Sequence, residues 1–366
     1  MNNLPTQVID LAVQIQQIPA PTFAEGPRAE FVHELFLKEG LKDVSMDSLG
    51  NVYARLAGKQ KKAMPLIVSA HLDTVFPASI NLQVKQDAGK IIAPGIGDNS
   101  LGVAALFGAL WSLRERKIEL KYDVWLVANV GEEGLGDLCG MRSVVERFDS
   151  RVIGYLILEG LALGHVYHRA IGVRRYRIIA KTAGGHSWSD YGQPSAVHEL
   201  ASLVTRLTAI KLPHQPRTTM NVGTFGGGTG INVLASEAKC ELDLRSEDPK
   251  TLMKLICQVE KLLKDADREG VRIMAEIIGE RPAGEIHASH PLVELAVKCV
   301  RDQGLDVNLT IGSTDANIPL SRGIPAVVMG ITTGGGAHTT HEYIDIEPVK
   351  KGMDGLVRFV ELAGGQ

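Results

Sequence analysis

The chain has little cysteine: Cys139, Cys240, Cys257 and Cys299 are scattered over 366 residues, with no Cys-x-x-Cys pair. That excludes a disulfide framework and a cysteine-based zinc site, and it points to reduced thiols in a cytoplasmic protein. Neither sign of charge is in excess. The formal net charge is −3, so no field is present to gather nucleic acid or an anionic membrane surface. No apolar run approaches the roughly 20 residues of a membrane span. The start, Met1-Asn-Asn-Leu-Pro-Thr, lacks the basic and then apolar segments of a signal peptide. Internal repeats and low-complexity tracts are missing as well.

What the chain does have is glycine, 39 residues of it, and enough length for two domains. Abundant glycine suits α/β folds with tight turns over ligands. Helical periodicity marks residues 6–17 and 25–39, with Pro19 and Pro21 breaking the chain between them. Strands are expected at 44–56 and 65–70, a solvated basic turn at 59–62, and a hairpin at 82–92 around Asp87-Ala-Gly. A helix is expected after residue 98, with Asn99 or Ser100 as its N-cap. Apolar strands follow at 122–130 and 152–158.

Four of these segments end on chemistry. Pro65-Leu-Ile-Val-Ser-Ala-His71-Leu-Asp73 is an apolar strand that delivers a His-x-Asp, two residues on one face. Pro94-Gly-Ile-Gly-Asp98 is a glycine turn that meets a helix start. The strand at 122–130 runs into Gly131-Glu132-Glu133-Gly134, and the strand at 152–158 runs into Glu159-Gly160. Adjacent acids repel unless a cation or a shared proton relieves them. In open α/β sheets ligands bind outside the carboxyl ends of the strands. Each acid alone reads equally well as a cap or a turn. Four in order argue for a metal site.

The middle of the chain changes character. Strands at 175–181, 219–225, 238–245 and 271–278 enclose helices at 196–210 and 249–269, the second opening on Pro249. The order βαββαβ is the ferredoxin-like split motif. Gly226-Gly-Gly-Thr-Gly-Ile-Asn232 lacks the Lys-Ser/Thr and the following helix of a phosphate loop. The α/β pattern then returns: a helix at 290–303, a strand at 324–330, the run Thr332-Thr-Gly-Gly-Gly-Ala-His338-Thr-Thr-His341-Glu342, and a closing helix at 349–362.

Taken together, His-x-Asp, Gly-Asp-Asn, Glu-Glu-Gly, a strand-ending Glu and a late Ala-His-Thr-x-x-Glu resemble the dinuclear zinc exopeptidase and deacylase family. That family includes glutamate carboxypeptidase, succinyl-diaminopimelate desuccinylase, acetylornithine deacetylase, aminoacylase and tripeptidase. The resemblance implies an α/β fold: a zinc-exopeptidase-like catalytic domain of mixed sheet flanked by helices, made by 1–171 and 284–366. A ferredoxin-like lid and dimerisation domain would be inserted at 172–283. It implies that His71 and Glu159 bind one zinc and that Glu133 and His338 bind a second. Asp98 would bridge the two, Asp73 would orient His71, and Glu132 would be the general base for a metal-activated water. Cobalt or manganese would substitute for zinc. The family's late ligand lies four residues before the Glu, which selects His338, with His341 as the alternative.

The same resemblance places His186, in Ala183-Gly-Gly-His186-Ser187, at the other subunit's site in a homodimer, and puts Asn232 and Arg245 on the substrate. The fork of Arg245 suits a carboxylate. The implied activity is hydrolysis of an amide bond in a small peptide or N-acyl amino acid bearing a free carboxylate. Glu at position 159 is more usual in the family's carboxypeptidases and deacylases, Asp in its aminopeptidases and dipeptidases. An aminotripeptidase or dipeptidase is the alternative. A non-catalytic metal-binding protein on the same scaffold should have lost Glu132, which this chain retains. His33, His165, His168 and His198 read as core or surface residues.

Overall fold

The computed structural model describes residues 4–60 and 63–365. Lys61 and Lys62 of the basic turn lie outside the described residues, as do Met1, Asn2, Asn3 and Gln366. The chain forms two compact units, one made of the chain up to Ala170 together with Gly284 onward, the other of Ile171–Ala283.

Among the described residues, the first unit is built on a nine-stranded mixed sheet. At its centre, Val124–Asn129, Leu66–His71, Gly154–Glu159 and Ala326–Gly330 lie side by side and parallel. These strands are continuous apolar runs because both of their faces are covered. Leu66, Val68 and Ala70 enter one core, while Ile67 enters the other with Val127, Tyr155 and Ile157. The helix Leu101–Glu115 packs on one face and is buried on nearly every side, between the sheet and the helices Leu4–Gln16 and Val349–Ala363. Its Phe107 stacks on Phe36 with ring centroids 4.6 Å apart.

Two local expectations need correcting. Residues 44–56 are not one strand but an antiparallel hairpin of Lys42–Met46 and Val52–Leu56. The turn forms because Asp47 Oδ1 accepts the backbone N–H groups of Leu49, Gly50 and Asn51. Neither Asn99 nor Ser100 caps the helix that follows with its side chain. Asn99 instead donates to the Leu158 carbonyl at 2.8 Å and accepts from the Gly160 N–H at 2.9 Å. That ties the Asp98 turn to the end of the Glu159 strand. The helix Cys139–Phe148 and the strands His165–Ala170 and Asn308–Gly312 are elements that the sequence pattern does not mark.

The second unit has its strands in the order Thr218–Gly227, Glu237–Ser246, Gly172–Lys181, Arg272–Arg281, all antiparallel. The helices Ala196–Thr208 and Pro249–Ala266 pack on the sheet through Leu200, Leu203, Leu207, Leu255, Ile256 and Val259. Alternation along Glu237–Ser246 buries Ala238, Cys240, Leu242 and Leu244 and sends Glu241, Asp243 and Arg245 to the opposite face. Among the described residues no helix is long and apolar enough to cross a membrane.

Candidate functional site

The parallel centre of the sheet sets the site. His71 and Asn129 are register partners at the ends of their strands, as are Glu159 and Gly330. Four strands therefore stop at one edge, and whatever follows them emerges there. Val130 and Gly131 lead to Glu132 and Glu133, while the chain after Gly330 leads to His338. Asp98 comes from the turn that precedes Leu101–Glu115.

These side chains converge in two trios, His71–Asp98–Glu159 and Asp98–Glu133–His338. His71 Nε2 lies 3.1 Å from Asp98 Oδ1 and 3.7 Å from Glu159 Oε2. His338 Nε2 lies 3.1 Å from Asp98 Oδ2 and 3.1 Å from Glu133 Oε1. Asp98 thus turns one oxygen to each histidine. Donors about 2.0–2.2 Å from a tetrahedral zinc sit roughly 3.3–3.6 Å from one another, so both trios have the size and the nitrogen–oxygen chemistry for a divalent cation. Glu132 is buried beside them and belongs to neither trio.

The acids and the histidines shift one another strongly. Burial penalises a charged His71, but Asp73, Asp98 and Glu159 outweigh it and hold the imidazole well above its ordinary pKa. Asp98 and Glu133 raise His338 to about 10. Burial opposes ionisation of Asp98, yet His338 and His71 hold its carboxyl far below the usual range. Burial, with the charges of Asp98 and Glu133, raises Glu159 although His71 pulls it down.

Asp73 has partners besides His71. Nδ1 of His71 sits 3.1 Å from the Asp73 backbone carbonyl and 3.6 Å from its carboxylate, so the carbonyl is the nearer acceptor. The fully buried carboxylate instead accepts the N–H of Glu132 at 3.0 Å, the N–H of Glu133 at 2.9 Å and the Thr22 hydroxyl at 2.9 Å. It holds both acids by their backbones. Behind it, Glu25 accepts the Gly131 N–H at 3.1 Å, and buried Arg28 donates to the carbonyls of Leu72 at 2.7 Å and Ile18 at 2.6 Å. Burial lowers Arg28 to about 10 against the pull of Asp73 and Glu25.

Two further acidic residues of the site have partners that the sequence does not mark. Glu342 closes the His338 motif, and its carboxylate takes three backbone N–H groups of the Asp98 turn. Asp315 is fully buried and accepts from Asn129 Nδ2 at 2.7 Å, and burial raises it to about 7. A signal for it existed: an acid followed by the apolar Ala316-Asn-Ile-Pro-Leu320. His341 is exposed and stands outside both trios, as do His33, His165, His168 and His198.

In the second unit the structure brings His186 and Asn232 together. Gly185–His186 pairs with Val233–Leu234, and the Ser187 N–H donates to the Asn232 carbonyl at 3.0 Å. His186 Nδ1 accepts the N–H groups of Trp188 and Ser189 at 3.2 and 3.4 Å, so the neutral ring carries its proton on Nε2. Arg245 stands apart on the four-stranded sheet. Its fork already grips Asp243, Nε to Oδ1 at 2.7 Å and Nη2 to Oδ2 at 3.3 Å, and Arg175 binds the same carboxylate at 3.0 Å.

Comparison with known proteins gives the family and the fold. The family model for peptidase family M20/M25/M40 matches residues 67–362. A tripeptidase from Staphylococcus aureus superposes with a TM-score of 0.84 at 24% identity, covering 99% of each chain. A metallo-carboxypeptidase of the M20 family from Sulfolobus solfataricus gives 0.78 at 17% identity over 100% of each chain. A Bacillus subtilis dinuclear metal binding peptidase of the M20 family gives 0.71 at 16% identity over 98% of each chain. At these identities the likeness to the three structures is one of fold.

Proposed function

Because the chain belongs to peptidase family M20/M25/M40, we propose that it is a zinc-dependent hydrolase of an amide bond in a small peptide or N-acyl amino acid with a free carboxylate. The observation that carries this reading is Asp98, whose two oxygens each lie 3.1 Å from a different histidine. His71 and Glu159 would hold one ion, Glu133 and His338 the other, with Asp98 shared. When bound, two zinc ions, or cobalt or manganese in their place, would lower the pKa of a water and polarise the substrate carbonyl.

The chain's own residues then do the proton work. Glu132 accepts a proton from the water as its oxygen adds to the amide carbon, and returns that proton to the amine nitrogen as the C–N bond breaks. Asp73 keeps Glu132 aimed by holding its N–H. Arg245, once its fork leaves Asp243, and Asn232 would take the substrate carboxylate. In a homodimer, His186 of one chain donates from Nε2 to the oxygen on which charge develops in the other chain's site.

The second reading is an aminotripeptidase- or dipeptidase-like exopeptidase, which would require a free amino terminus. One panel separates the two: peptides with free or blocked amino termini, and N-acyl amino acids, each with zinc, cobalt or manganese and with a chelator. Cleavage of blocked substrates that keep a free carboxylate is expected. A strict need for a free amino group would move the assignment to the second reading. No hydrolysis with any metal would overturn both.

A further inference from the structure

Glu342 is fully buried, and its partners are all on one turn. Oε2 accepts the Gly95 N–H at 3.0 Å, while Oε1 accepts the N–H groups of Gly97 at 2.7 Å and Asp98 at 2.8 Å. Gly95 has a positive φ of 72°, which turns its N–H inward with those of the next residues. The backbone of Glu342 is anchored independently. Its carbonyl accepts from the Ala93 N–H at 2.9 Å, and its N–H donates to the Thr339 carbonyl at 3.2 Å. The next residues, Tyr343–Asp345, form a strand paired with Lys90–Ile92.

We propose that Glu342 is a positioning residue for the ligand set: its carboxylate clamps the turn that carries Asp98 to the loop that carries His338, and so fixes Asp98 between the two trios. The inference rests on the two-metal reading above. Asp98 reaches its two histidines only if its backbone is fixed in position and angle, within about 0.5 Å for a ligand set of this kind. Its own N–H is one of the three that Glu342 holds. The geometry asks for a carboxylate specifically. Three donors converge on two oxygens, and a glutamine would offer one oxygen and set its NH₂ against a backbone N–H. A buried donor left without an acceptor costs more than the bond it loses, so the turn would move away.

The test is Glu342→Gln in the full chain, titrated with zinc alone against a chromophoric chelator. Zinc affinity is expected to fall roughly 10–100-fold, because Asp98 serves both ions. Cobalt, bound in place of zinc, should give an altered visible spectrum. A merely structural role would lower the melting temperature of the ion-free protein yet leave both readouts of the folded chain unchanged. Parental zinc affinities in folded Glu342→Gln would overturn the proposal while leaving the metal reading intact. Failure of the parent chain to bind zinc would overturn both. Should the variant not fold, amide exchange in the parent decides. The N–H groups of Gly95, Gly97 and Asp98 should be protected and should slow further when zinc binds. Exchange at the rate of exposed loop amides, or no response to zinc, would refute the clamp.

Discussion

Replacing Asp73 by Asn tests the physical core of the site without touching either trio. The wild-type carboxylate is fully buried and accepts three hydrogen bonds, from Thr22 and from the backbones of Glu132 and Glu133. Burial opposes its charge, but His71 and the two N–H groups outweigh burial and hold its pKa below the ordinary value. The sign follows from linkage: a carboxyl with a lower pKa folded than unfolded stabilises the fold above about pH 4, and loses that contribution as pH falls through its folded value. Bonds to a charged acceptor are worth about 1.5–3 kcal/mol each. Asn keeps one acceptor oxygen and presents its NH₂ to a backbone N–H, against which stands the smaller cost of burying an amide. The net loss is about 3 kcal/mol, at the lower end of what breaking a buried charge constellation costs. At roughly 2–4 °C per kcal/mol for a domain of this size, calorimetry of the chelated protein at pH 7 should show a fall of about 6–12 °C. Thr22→Val, which loses one of the three bonds, should fall by less than half as much. The difference between Asp73→Asn and the parent should narrow as pH falls below about 4 and on through the parent carboxyl's lowered folded pKa. A shift under about 2 °C, or one that ignores pH, would refute the account of Asp73.

Other outcomes follow from the same geometry. Glu132→Gln should cut turnover by roughly 10²–10⁴-fold and keep its metal, whereas Glu133→Gln should weaken metal binding; exchanged phenotypes would reverse the assignment within the pair. With His71 and His338 both raised, the latter to about 10, the ion-free site holds protons at neutral pH, so zinc should displace them and bind more tightly as pH rises. Calorimetry in buffers of different ionisation enthalpy reads the released protons, and proton-independent binding would contradict the shifts. Arg245→Ala should raise KM for substrates with a free carboxylate and hardly affect their amides; equal hydrolysis of acid and amide by the parent would argue against that role. A mixture of His186→Ala and Glu132→Ala chains, each inactive alone, should regain activity once subunits exchange, and hybrid dimers that stay inactive would deny His186 a part in the partner's site.

How much of this was legible depends on sequence distance. His71, Asp98, Glu132, Glu133, Glu159 and His338 each follow a strand or open a turn, and that local signature survives in one sequence. The ordering of elements at 172–283 is local as well, since each of its strands and helices carries its own period. The long-range contacts that hold these residues carry no such mark. Thr22 meets Asp73 from 51 positions away and Asn129 meets Asp315 from 186. The hairpin at Asp47 and the side-chain bonds of Asn99 escape the sequence pattern for a related reason. Both residues are generic turn or cap formers, and which backbone groups they satisfy is settled only by what lies nearby.

The sequence by itself determined the composition of the site, two histidines and a set of acids at strand ends and in glycine-rich turns, because both are local features. Tertiary structure decided how those groups divide. Parallel pairing brought four strand ends to one edge, and Asp98 turned one oxygen to each trio while Glu132 stayed outside both. It also gave Glu342 its work on a turn 244 to 247 positions earlier. The physical reason is that burial and hydrogen bonding act on neighbours in space. A period of 2 or 3.6 residues records which face a side chain takes, not which distant backbone it will meet there.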